Sequence, residues 1–205
     1  MRNLLLTKTN ILILLAVVLS CFPAYSKEKN EEVSIHSLTL KQNVNQPSVP
    51  SKLRDAVRSY MKKEALALIK MGYTVETERN GEVIVVSIPV SGLFEPNDTV
   101  LLQGGERKLV PLLSYLKSEG RFKMILAMHC DNTGSEQYKE ELSAKRLQQV
   151  EDFIEQHAHF PNQIVAYSMA DNDPLVPNTT RGNRERNRRL EVYIVPFSEL
   201  ISKIR

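Results

Sequence analysis

The chain has 205 residues, 42% hydrophobic and 25% charged, with 8 Gly, 10 Pro, 2 Cys and no Trp, which excludes collagen-like, wholly disordered and disulfide-stapled architectures. Lys and Arg number 27 against 24 Asp and Glu, and a formal charge of +3 is too small for a chain devoted to nucleic acid, whose phosphates call for a pronounced basic stripe. The length fits one domain of up to roughly 150 residues with a shorter appendage.

Residues 1–26 read as a secretory leader. Arg2 and Lys8 are the only charges before Lys27, and the apolar run Ile11 to Phe22 is followed by Pro23, Ala24, Tyr25 and Ser26, a small-x-small cleavage pattern. That run is shorter than the roughly 20 residues of a transmembrane helix. Val18-Leu19-Ser20-Cys21 also has the form of a lipobox, so Cys21 is a candidate for lipidation, and cleavage after Ser26 is the other reading. Either way Cys130 has no intramolecular partner, and no disulfide framework is implied.

Residues 27–51 are polar, end in Gln46-Pro47-Ser48-Val49-Pro50 and show no sustained periodicity, the signature of a flexible linker. In 52–82 a helix comes first, from Lys52 to Met71, with Leu53, Val57, Tyr60, Met61, Leu66 and Ile69 at helical spacing and Gly72 as its stop. Tyr73 to Glu78 and Glu82 to Val90 then read as strands around the hairpin signal Asn80-Gly81. Leu109, Leu112, Leu113 and Leu116 make a helical face closed by Gly120, which Pro111 allows only if the helix starts late or kinks. Phe122 to Met128 is a continuous apolar run suited to a buried strand, Ser135 to about His157 a long amphipathic helix, and Gln163 to Met169 another strand. Leu190, Val192 and Ile194 alternate with Arg189, Glu191 and Tyr193 in the last strand, within a domain over 83–197, and 198–205 reads as a C-terminal tail. The expected fold class is α+β: a two-layer α/β sandwich of βαβαββ type, helices packed on one mixed sheet.

Arg146 breaks the pattern, because it falls near the middle of the stripe Tyr138, Leu142, Val150, Phe153 and Ile154. Either it snorkels to water, or it pairs with a carboxylate, for which Asp131 at the carboxyl end of the buried strand is the candidate. An acid and a guanidinium fixed on one sheet edge can hold a zwitterion: the carboxylate takes an ammonium and the Arg fork takes a carboxylate. A catalytic reading wants a nucleophile beside a base. His129 and Cys130 are consecutive in a strand and point to opposite faces, so the chain reads as no enzyme, with no catalytic residue. No metal set or cofactor motif is visible, since His157 and His159 stand without ligands at suitable spacing. Asp131-Asn132-Thr133-Gly134 lacks the alternating acids of a calcium loop. Arg181, Arg184, Arg186, Arg188 and Arg189 read as solvated charge and not as a nucleic-acid patch.

Three blocks carry a family resemblance. His129-Cys130-Asp131-Asn132-Thr133-Gly134, Leu142-Ser143-Ala144-Lys145-Arg146 and Asn187-Arg188-Arg189-Leu190-Glu191-Val192 resemble, in order and spacing, the signature of the OmpA-like peptidoglycan-binding domain, and Leu93-Phe94-Glu95-Pro96-Asn97 resembles its first loop. The resemblance implies noncovalent binding of peptidoglycan through the diaminopimelate of the stem peptide, tethering the outer membrane or a periplasmic assembly to the wall. It implies Asp131 on the amino-acid end, Arg146 on the carboxylate, and Asn97, Thr133 and Arg188 beside them. The family usually has Gly and Thr where this chain has Met128 and Cys130. Lys27 to Glu82 is too short and too helical for an eight-stranded membrane barrel, which points to a periplasmic relative or one held at the outer membrane by a lipid or a partner protein. The alternative is a periplasmic protein adaptor that docks through the helix Lys52 to Met71 and keeps only a degenerate wall site.

Overall fold

The computed structural model describes residues 37–204. The leader, Cys21 and the first part of the expected linker lie outside these residues. Five strands form one sheet: β1 (Thr74–Glu78), β2 (Val83–Pro89), β3 (Phe122–His129), β4 (Ile164–Ala170) and β5 (Arg189–Pro196), in the order β1-β2-β5-β3-β4. Only β3 and β4 run parallel, and the chain joins them through a long helix, as a parallel pair requires. All other neighbours are antiparallel, with β5 central between Val86↔Val192 and Leu126↔Val192 pairings. The sheet is mixed, as the alternation of elements predicts.

Helices cover one face. α2 (Arg54–Lys70), α3 (Gln103–Leu109), α4 (Glu136–His157) and α6 (Ser198–Lys203) pack a single core against Ile84, Val86, Met124, Leu126, Val192 and Ile194. α2 ends as Gly72 predicts: its φ of 92° is open to glycine, and Tyr73 N–H to Leu68 O at 3.2 Å with Gly72 N–H to Ile69 O at 2.9 Å closes a Schellman cap. Pro111 has its expected effect. α3 stops at Leu109 and a 3₁₀ segment, Val110–Leu116, takes over, where the proline's missing N–H falls in the first turn.

Four expectations need correction. Residues from 37 onward are no loose spacer: α1 (Leu40–Val44) has a Thr39/Gln42 capping box, and Val44 and Val49 are buried. The segment lies on the sheet's second face, where Lys123 Nζ donates to Asn43 O at 2.7 Å, Asn43 Oδ1 at 2.9 Å and Gln46 O at 2.7 Å. Polar composition concealed it, because its anchors are backbone carbonyls taken by a distant lysine. In α2 the buried row is Val57, Met61, Ala65 and Leu68, while Leu66 and Ile69 are 47% and 49% exposed. The tail 198–205 contains α6, whose Leu200 and Ile201 are buried in the core. The arginine cluster forms α5 (Arg181–Asn187), capped by Thr180, and runs into β5, where Arg189 is buried; solvated charge describes only Arg181 and Arg186, while Arg184 and Arg188 are half-buried.

Candidate ligand-binding site

Three chain segments and one helix face converge beyond the carboxyl end of β3. The loop after β2 brings Asn97, the loop after β3 brings Asp131 and Thr133, α4 brings Arg146, and the start of β5 brings Arg188; all five line one cavity of about 560 Å³. The β3 loop is set by Cys130 N–H bonding Ala170 O at 2.8 Å, past a register shift at Met128/His129 that lets β3 leave the sheet. The β5 end is tied to the first loop by Val90 N–H to Arg188 O at 2.9 Å.

Asp131 is buried and already satisfied. Its Oδ1 accepts from Thr133 N–H at 2.8 Å and from the Thr133 hydroxyl, and its Oδ2 pairs with the Arg188 guanidinium. Burial by itself would raise the Asp131 pKa; the Thr133 and Arg188 bonds outweigh it and hold the carboxyl below its ordinary value.

Arg146 is 3% exposed, so it does not snorkel to solvent, and it forms no ion pair with Asp131 either. Its Nε donates to Asp98 O at 2.8 Å, its Nη2 to Glu95 O at 3.2 Å, and its guanidinium lies 5.3 Å from the Phe94 ring centroid. The sequence offers it a carboxylate; the fold gives it the carbonyls of the first loop. Burial pulls its pKa down, as expected for a guanidinium whose charge no carboxylate answers at bonding distance. Arg146 thereby clamps residues 95–98 on both sides of Asn97, whose φ is 59°, and Asp98 Oδ1 holds the loop's exit through Thr99 N–H at 2.6 Å and Val100 N–H at 3.1 Å.

Two lining residues escape the sequence reading. Tyr138, assigned there to the core stripe, is 41% exposed, and its hydroxyl donates to Asn97 Oδ1 at 3.1 Å across the cavity. Lys139 bonds Asp171 at 2.7 Å and also pairs with Glu136, and both raise its pKa. The helix carries two rows: Lys139, Ser143, Leu147, Val150 and Ile154 toward the sheet, and Tyr138, Leu142 and Arg146, four apart, toward the cavity. Spacing from Arg146 was the available signal for Tyr138. Of the two departures in the β3 block, Met128 points into the helix-side core and does not line the cavity, whereas Cys130 does. Its thiol is pushed up to about 11 by burial and then by Asp171 and Asp131, which keeps it protonated and poorly nucleophilic at neutral pH.

The sequence profile described as OmpA family matches residues 93–188, which takes in every one of these side chains. Among curated proteins the chain is 23% identical over 147 residues to the probable lipoprotein YiaD of Escherichia coli (strain K12), covering 72% of this chain and 61% of that one. The chain spans less than two thirds of the length of each curated relative it matches. Among solved structures, a MotB like protein from Desulfovibrio vulgaris superposes with a TM-score of 0.61 at 22% identity, covering 70% of this chain and 98% of that one. The cell wall anchor of the T6SS from Pseudomonas aeruginosa does so with a TM-score of 0.54 at 22% identity, covering 67% and 96%. The fold, the ordered blocks and the profile agree: this chain carries an OmpA family domain at residues 93–188.

Proposed function

We propose that the chain is a non-catalytic cell-wall anchor on the periplasmic side of the envelope, binding peptidoglycan through the diaminopimelate of its stem peptides. The observation that carries the reading is a single cavity that brings the buried Asp131 carboxylate together with two guanidinium groups, Arg146 and Arg188, with Glu95 and Lys139 also on its lining. A ligand ammonium shares Asp131 with Arg188, and the ligand carboxylate takes guanidinium donors that the loop carbonyls leave over. Asn97 and Thr133 fix the two loops that form the walls. The OmpA family domain supports this reading, and so does the fold shared with the Pseudomonas aeruginosa anchor. No helix among the described residues is long and apolar enough to cross a membrane. In this reading a lipid on Cys21 or a partner protein supplies attachment to the outer membrane.

Co-sedimentation of the processed chain with diaminopimelate-type peptidoglycan tests it. Wild type pellets, Asp131→Ala and Arg146→Ala remain in the supernatant, and no soluble wall fragments are released. Pelleting of Arg146→Ala at wild-type levels would overturn the site. The exposed Leu66, Ile69 and Met71 on and just after α2 favour the adaptor as a second reading, in which neither substitution alters function and Leu66→Ser/Ile69→Ser does.

A further inference from the structure

The candidate site is not the molecule's largest cavity. A space of about 810 Å³ opens on the opposite face of the sheet, between the segment around α1 and strands β4 and β5. Leu38, Leu40 and Val44 form one wall, and Tyr167, Met169 and Tyr193 the other. Its size falls in the range of small-ligand pockets, roughly 300 to 1,000 Å³.

The polar groups inside are spent. Tyr167 donates to Leu38 O at 2.5 Å and accepts from Asn43 Nδ2 at 2.6 Å, and Tyr193 donates to Glu191 at 2.6 Å. The Thr39 hydroxyl is engaged with Gln42 at 2.8 Å, the Asn45 amide with Lys41 O at 2.8 Å, and Ser37 is engaged as well. These bonds hold the α1 segment at a fixed stand-off from the sheet, so the cavity belongs to the packing of two anchored elements. At the rim stand the carboxylates of Glu78 and Asp173, neither of which has a hydrogen bond or ion pair among the described residues, with the exposed Lys41 as the one cation of the lining. Burial raises the Glu78 pKa, and Glu191, Asp173 and Glu76 raise it further, so acidic groups outnumber the single lysine of this lining.

An apolar interior whose polar side chains are already engaged, bounded by two carboxylates against one lysine, selects an occupant by its charge as well as its grease. An anion would meet two acids for one lysine, and a neutral apolar molecule would leave the rim as it stands. We propose that this cavity binds a small organic ammonium with an apolar body, the body against Tyr167, Met169 and Tyr193 and the ammonium between Glu78 and Asp173. The inference does not depend on wall binding, because none of these residues touches the site around Asp131.

The test is a titration of the processed full-length chain with n-hexylammonium, hexanoate and 1-hexanol in separate arms, read from backbone amide shifts. Saturable shifts at Tyr167, Met169 and Tyr193 with hexylammonium, and none with hexanoate, are expected. Glu78→Gln/Asp173→Asn, both exposed, weakens hexylammonium binding about fivefold or more, the scale of two exposed charge pairs, while peptidoglycan pelleting is unchanged. Leu40→Trp, which fills the cavity, abolishes the shifts. Equal affinity for 1-hexanol, unchanged binding by the rim variant, or still amides at all three positions would overturn the proposal.

Discussion

Arg188 and Arg189 are neighbours in sequence and serve opposite sides of the sheet. Arg188 pairs with Asp131 beside the candidate site, with its side chain 36% exposed. Arg189 lies buried on the other face, donating to Glu191 at 2.8 Å and to Asn187 O and Asp173 O at 3.3 Å each. Glu191 also accepts from Tyr193 at 2.6 Å and stands 3.3 Å from His129 Nε2. The chemistry of the two pairs is the same, and their access to water differs. A sealed pair costs too much to open and holds the fold together. One open on a side can trade part of its partner for a ligand's ammonium or carboxylate, which is what a binding site requires.

The largest effect breaks the sealed pair. Arg189→Met leaves Glu191 buried beside two freed carbonyls and is expected to destabilise the protein by about 3 to 5 kcal/mol, against about 1 kcal/mol or less for Arg188→Met. Urea denaturation of the two variants measures the difference, and equal losses would mean that the two faces are not distinct in this way. Acid sharpens the same contrast. Burial alone would raise the Glu191 pKa, but His129 at 3.3 Å, the bond from Tyr193 and the Arg189 charge outweigh it and hold the carboxyl at about 2. A folded-state pKa below the ordinary 4.5 gives stability that is present above that value and lost as pH falls toward 2, by up to about 3 kcal/mol. Asp131 adds in the same direction, so the check is a pH series on Glu191→Gln, whose stability declines less steeply than wild type between about pH 4.5 and 2.

That contrast shows how far the sequence reaches. The strands and helices of the helix-covered face are legible because periodicity reports burial on one side: the run in β3, the proline break before the 3₁₀ segment and the glycine after α2 all act locally. The second face is nearly illegible. Arg189 reads as solvated charge and Lys123 sits unremarked in an apolar run, yet both are buried charged groups, Lys123 with its pKa pushed down to about 8 by burial and then by Arg79. Their partners are carbonyls and a carboxylate on other elements, and no spacing rule encodes such partners. At the candidate site the family blocks name residues that share one cavity, but the pairing is not readable: a strand-end acid and a core-facing arginine suggest each other, and only the fold gives Arg188 to Asp131 and two loop carbonyls to Arg146.

On the open side, substitutions are expected to separate binding from stability. Asp131→Asn keeps the shape and the Thr133 N–H bond but removes the charge shared with Arg188. Under the proposed function it weakens peptidoglycan binding about tenfold to a hundredfold, the range of a charged hydrogen bond, while the unfolding free energy measured in urea changes by no more than about 1 kcal/mol. Raising the salt narrows the gap between variant and wild type in the same co-sedimentation assay, because a half-open pair is screened where a sealed one is not.

The smallest effect comes from Tyr138, and it asks whether the open side is preorganised. A Cβ on Gly134, whose φ is 99°, would stand 2.6 Å from the Tyr138 ring, so the glycine lets the ring lie against the Asp131 loop while the hydroxyl reaches Asn97 on the other loop. Tyr138→Phe keeps the ring and removes only the bridge. If the bridge holds the two loops at binding distance, wall affinity falls about threefold, near the lower end for one neutral hydrogen bond, with stability within about 0.5 kcal/mol of wild type. Gly134→Ala, which displaces the ring itself and strains the backbone, costs more binding than Tyr138→Phe. The reverse order would mean that the tyrosine touches the ligand through its hydroxyl and does not act by holding the loops.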